Sequence, residues 1–125
     1  MPEAERLAAF DEGLAAYERG EWFEAHELLE PAWMGTDELS ERELCQGLIK
    51  LAAGHVHRRR GNPTGMRKNL TGARARLQAA VDGGADDHGL DLPALIAAID
   101  DRLAGLAAAD GDPQAIDPIE MPRRT

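Results

Sequence analysis

A chain of 125 residues with 23 acidic and 14 basic side chains carries a formal net charge of -9, and its length suits one domain that buries roughly two thirds of its surface. Its one cysteine, Cys45, excludes an internal disulfide and a zinc site built on thiolates alone, and no apolar stretch reaches the ~18 residues of a membrane span. The N-terminus carries acids where a secretory signal would carry lysines, so the sequence predicts a soluble, cytoplasmic protein.

The first helix is expected over about Glu3 to Arg19, where Leu7, Phe10, Leu14 and Tyr17 recur at steps of three and four. Gly20 ends it as a left-handed cap. A second helix restarts at Trp22 with Ala25, Leu29 and Trp33 on one face, and Pro31 removes an amide donor in its last turn, which predicts a kink or break there. Together Gly13, Tyr17, Gly20, Ala25 and Ala32 have the spacing of a tetratricopeptide-like helical hairpin, present once. Gly35 to Leu39 reads as a loop, after which Ser40 and Glu43 form a capping box for a third helix. That helix carries Leu44, Leu48, Leu51 and His55 on one line, with Cys45, Ile49, Ala52 and Val56 beside it, the broad apolar surface of a central helix. Asn62 and Pro63 open a fourth helix that keeps its period through Val81, and Asp91 with Pro93 repeats the signal for a fifth. Prolines at 113, 118 and 122 forbid a helix from Asp110 onward. The fold class is therefore all-α: a compact five-helix bundle over residues 1–109, followed by an extended tail, 110–125, with Ile116, Ile119 and Met121 available to pack on it.

Charge is unevenly distributed. No acid occurs between Glu43 and Asp82, where Lys50, Arg58, Arg59, Arg60, Arg67, Lys68, Arg74 and Arg76 are gathered. An acid-rich surface with only two lysines suits solubility at high salt and hints at a salt-loving source. Arg60, Arg67 and Arg74, at steps of seven, could form a ridge for phosphate groups or RNA. The net charge and scarce aromatics argue against nucleic acid, and pairing with acidic faces of the first, second and fifth helices is the preferred reading.

The chemically informative segment is His26-Glu27-Leu28-Leu29-Glu30, because it sets ionisable groups on a face built for burial. His26 falls about 40° from Trp22, inside the apolar stripe, and Glu30 follows one turn later on the same side. His55 lies on the core line of the third helix, and His57 faces nearly the opposite way. If the second and third helices pack through their apolar faces, His26, Glu30 and His55 converge. Two imidazoles and a carboxylate would suit a divalent metal such as zinc, manganese or iron, with an open position for hydrolytic water. The plainer alternative is a hydrogen-bonded structural pair, since buried polar groups need partners. His88, in a Gly/Asp loop, reads as solvated.

The stretch Tyr17-Glu18-Arg19-Gly20-Glu21-Trp22-Phe23-Glu24-Ala25-His26-Glu27-Leu28-Leu29-Glu30, preceded by Phe10 and Gly13, is followed by Trp33, by Gln46-Gly47-Leu48-Ile49-Lys50-Leu51-Ala52-Ala53 with His55 or His57, and by Gly61-Asn62. The combination resembles the all-helical family known as domain of unknown function 309, over about residues 7 to 81. The resemblance implies a compact helical bundle, a metal-dependent hydrolase activity, a shared polar set of His26, Glu27, Glu30, Gln46 and His55, and Asn62 as a shared turn residue. Pro31 departs from the helical residue usual after the second glutamate.

Two functional classes follow. One is a metal-dependent hydrolase in which His26, Glu30 and His55 hold the ion and Glu27 is the general base. The other is a non-enzymatic interaction or structural module in which the same groups fix helix packing, with another protein or a second copy of the chain as partner.

Overall fold

The computed structural model describes residues 1–125 as five α-helices: α1 (Glu3–Glu18), α2 (Trp22–Met34), α3 (Leu39–Arg59), α4 (Pro63–Asp82) and α5 (Leu92–Ala108). Each helix packs mainly on its neighbours in the chain, with α3 and α4 sharing the most extensive contact. Gly20 turns the chain between α1 and α2 at φ 77°, and the Glu21 amide reaches back to the Ala16 carbonyl (3.0 Å), which closes the helix end. Gly13 lets α2 come close, because a Cβ there would lie 2.6 Å from Leu29 Cγ. No helix is long and apolar enough to cross a membrane.

Local signals fare unequally. Asn62 and Asp91 cap α4 and α5 by accepting from the amides of Gly65 (3.1 Å) and Ala94 (3.0 Å). The expected capping box on Ser40 does not form. Instead the Glu38 carboxylate accepts from the amides of Ser40 and Glu41 (3.1 and 2.7 Å), and the freed Ser40 hydroxyl donates to the Gly83 carbonyl at the end of α4. An acid at that position adds a favourable charge to the helix N-terminus, which a hydroxyl cannot. Nor does Pro31 break α2, which runs on to Met34. Pro31 lies on the exposed face, where its missing donor and its ring disturb no neighbouring helix.

The tail is not wholly extended. Asp112 accepts from the Gln114 amide (3.0 Å) and closes a short 3-10 turn, Pro113–Ala115, because proline at a first helical position lacks only a donor that would go unused. Beyond it, Ile116 and Ile119 are buried against the bundle. The segment then returns to the α4–α5 connection, where Asp91 donates to the Pro122 carbonyl (2.9 Å) and Arg124 to the Gly89 carbonyl (2.8 Å). Residues 110–125 thus form a strap across the helices.

The α3–α4 contact makes a test in which two opposing magnitudes compete. Glycine to alanine inside a helix gains about 1 kcal/mol from propensity alone. At Gly47 a Cβ would sit 2.7 Å from Leu77 Cγ and Cδ2 and 3.2 Å from its backbone nitrogen, an overlap costing about 1–3 kcal/mol. At Gly72 the nearest atom is Lys50 Cδ (2.9 Å), on a side chain free to swing outward. Thermal unfolding should show Gly47→Ala destabilised and Gly72→Ala unchanged or stabilised by up to about 1 kcal/mol.

Candidate functional site

Of the polar residues on the core faces, His55 is the most deeply placed, 3% exposed, with its ring against Trp22 (centroids 4.4 Å apart) and edge-on to Tyr17 (5.3 Å). Both of its nitrogens are committed. The Ile119 amide, which can only donate, lies 2.9 Å from Nε2, so Nε2 carries no proton; Nδ1–H then donates to the Leu51 carbonyl at 2.9 Å. The Tyr17 hydroxyl stands 3.5 Å from the same Nε2 but gives its proton to the Ile119 carbonyl at 2.6 Å. Arg58 adds a bond to the Ile116 carbonyl, and Arg102 donates to the carbonyls of Asp117 and Pro118 (both 3.2 Å). His55 therefore fastens the strap to α3. Burial, more than the nearby Arg58, Arg102 and Arg59 charges, holds its pKa down at about 4.

His26 lies elsewhere. It is half-buried in a groove between the start of α2 and the end of α3, about 150 Å³ in volume and lined by Phe23, His26, Ala53, Val56, His57 and Arg60. Its ring stacks beside Phe23 (6.4 Å between centroids, 12° between planes), and its Nδ1 is buried with no hydrogen-bond partner. Glu27 and Glu30 are both exposed on α2, and neither lines the groove. Gln46 is half-buried on α3, and Asn62 caps α4 beside His57. Nowhere do three His, Cys, Asp or Glu side chains converge as a metal site requires. The expected convergence of His26, Glu30 and His55 is not formed, because α2 turns Leu29 and Ala32 to the core and Glu30 to the surface, while the lone pair of His55 is spent on the strap. These residues as they stand do not fit a metal ion. Cys45, buried with its thiol pushed up to about 11 by desolvation, stays protonated.

The groove pairs His26 with His57 rather than with His55. The Asn62 side-chain oxygen is occupied by its helix cap, which turns the amide nitrogen toward His57 Nδ1 (3.1 Å). Nδ1 must accept, so the neutral ring bears its proton on Nε2. Gly65 makes room for this ring, since a Cβ there would lie 2.4 Å from Nδ1.

A second polar centre was not expected from the sequence. Arg6, 3% exposed, donates to Glu41 (3.2 Å) and to the exposed Glu3 (2.9 Å), with the Ala32 carbonyl at 3.5 Å. His88 Nε2 reaches the same Glu41 oxygen (2.7 Å) while its ring packs on Phe10 (4.7 Å). His88 is thus engaged rather than merely solvated, held at φ 51° by its loop. Arg6 precedes Phe10 by four residues and Glu41 precedes Leu44 by three, so both stand in register with the core lines, the same signal that singled out His55. The arginines of the acid-free stretch pair less with acids than expected: Arg74 meets Asp100 of α5 (2.8 Å) and Arg76 meets Glu43 of α3 (3.0 Å), while Arg58 and Arg59 bind main-chain carbonyls. No acid of α1 or α2 pairs with that stretch.

Fold and groove together define an all-helical protein in which neighbouring helices stack in chain order and two histidines line one groove between α2 and α3. Residues 10–69, from mid α1 into α4, match the family described as Domain of unknown function (DUF309). The matched span contains His26, His55, His57, Arg60 and Asn62, but neither the strap nor His88. No curated protein matches the chain.

Two predictions test these centres. Between its unfolded pKa of 6.5 and its folded value of about 4, His55 binds more protons in the unfolded chain, so its contribution is complete above pH 6.5 and is lost as pH falls toward 4. Urea unfolding should show a loss of about 3 kcal/mol over that interval, absent from the His55→Gln variant after subtraction of the shared background. Replacing Arg6 by alanine leaves the Glu41 carboxylate buried with only His88 beside it, and should cost about 3 kcal/mol at pH 7.

Proposed function

We propose that the protein is a non-enzymatic interaction module in which the histidine-bearing faces of α2 and α3 set helix packing and present a surface between them. The observation that carries this reading is the engagement of His55: with Nδ1–H on the Leu51 carbonyl and Nε2 taken by the Ile119 amide, the residue serves the fold. Glu27, the general base of the hydrolase reading, is exposed on α2 and does not line the groove. Apolar side chains left at the surface, Phe23 at 59% exposure together with Met34 and Leu39, suit contact with another protein.

The alternative, a metal-dependent hydrolase, has in its favour the buried and unpartnered Nδ1 of His26. It would need His26, Glu30 and His55 to be brought together by the ion. One experiment separates the two readings. Protein purified without chelator should contain no stoichiometric zinc, manganese or iron, and adding each should leave the melting temperature unchanged. A stoichiometric ion, or a rise of several degrees that is lost in both His26→Ala and His55→Ala, would favour the hydrolase instead.

A further inference from the structure

We propose that the groove between α2 and α3 is a binding site for the phosphoryl group of a small phosphomonoester, held by His26, His57 and Arg60 while a planar substituent lies across Phe23. This goes beyond the interaction-module reading and holds whether or not the His55 cluster is purely structural, since His55 does not line the groove.

Unspent hydrogen-bonding capacity is concentrated there. Every other arginine except Arg67 reaches a carboxylate or a main-chain carbonyl: Arg6 and Arg19 pair with glutamates, Arg42 with the Trp33 and Thr36 carbonyls, Arg58 and Arg59 with the strap and Gly20. Arg74, Arg76, Arg102, Arg123 and Arg124 pair with acids. In a chain of net charge -9, a guanidinium without a partner is therefore unusual, and Arg60 stands at the mouth of a groove with no acid in its lining. His57 is held by Asn62 in the tautomer whose Nε2–H is free to donate. His26 makes no hydrogen bond within the protein; its Nδ1 is closed off by burial, which leaves Nε2 as the accessible nitrogen on the groove side.

Size and number of donors select the ligand. A volume of about 150 Å³ is below the ~300–1,000 Å³ of pockets that enclose a drug-sized molecule, so only a head group enters. Three donor groups from two helices match a tetrahedral oxyanion with at least three oxygens better than a carboxylate with two, and arginine supplies the fork that phosphate accepts. The rest of the ligand must lie outside, where the exposed ring of Phe23 offers a stacking surface.

Phenyl phosphate and inorganic phosphate serve as probes, titrated into the full chain at constant ionic strength with chelator present, so that no metal mediates the contact. The readout is the ring resonances of the four histidines. We expect saturable shifts at His26 and His57 without matching shifts at His55 or His88, and binding of phenyl phosphate roughly three- to tenfold tighter than that of inorganic phosphate. Arg60→Ala should weaken both ligands at least about tenfold, whereas Arg67→Ala, which removes the other unpaired arginine from a different groove, should change neither. Phe23→Ala should bring phenyl phosphate down to the level of inorganic phosphate. No saturable shift at His26 and His57 up to tens of millimolar, or equal losses from Arg60→Ala and Arg67→Ala, would overturn the site. Equal affinity for the two probes would overturn the role of Phe23.

Discussion

A helix enclosed on several sides can carry polar side chains toward the core only if each finds a partner, and that constraint on α3 organises the molecule. At one end a single oxygen of Glu41, Oε1, meets both Arg6 from α1 and His88 from the α4–α5 connection. Near the other end His55 is satisfied by its own helix and by the strap. These two centres, far apart along one helix, gather segments that the apolar core alone would not place so specifically. Burial of leucines brings helices together without direction, whereas an imidazole with one lone pair and one proton accepts a single arrangement of neighbours.

The same constraint separates the histidines by role. His55 and His88 each work between segments distant in sequence, and each loses its freedom to do so. His57 is held by Asn62, one turn further along the chain, and keeps a donor in reserve, while His26 has no partner at all. Polar groups in a folded protein are ordinarily paired, so capacity left over in a concave place marks where a further molecule belongs. Glu41 Oε2 is also buried without a partner, but it is an acceptor on a carboxylate whose other oxygen already meets Arg6 and His88.

Much of this was legible in the sequence. Helix number, the caps at Asn62 and Asp91 and the burial of the Leu44–Leu48–Leu51–His55 line follow from period and from side chains that mimic backbone acceptors. So does the burial of Ile116 and Ile119. The expected site failed for a physical reason. Periodicity gives the angle of a residue about its own helix but not the rotation of that helix against the next, and it is this rotation that leaves Glu30 in water and places His26 in a groove with His57 rather than with His55. Ser40 and Glu43 fit a capping pattern, but Glu38, two residues earlier, captures the amides first with a full charge. Arginine is so seldom buried that residue type points Arg6 to the surface, although its place in the register with Phe10 points inward.

The strap also imposes an order of events in time. His55 and Ile119 are 64 residues apart, and Tyr17 bonds across 102. At roughly 5–20 residues per second of synthesis, about 3–13 s pass between the appearance of His55 and of the amide it must accept from. During that interval α1 to α4 can assemble through contacts close in sequence, but the free nitrogen of the imidazole has only solvent or the nearby Tyr17 hydroxyl to meet it. Until residues 118–121 are made, the side of Tyr17 and Trp22 that they line has no strap against it.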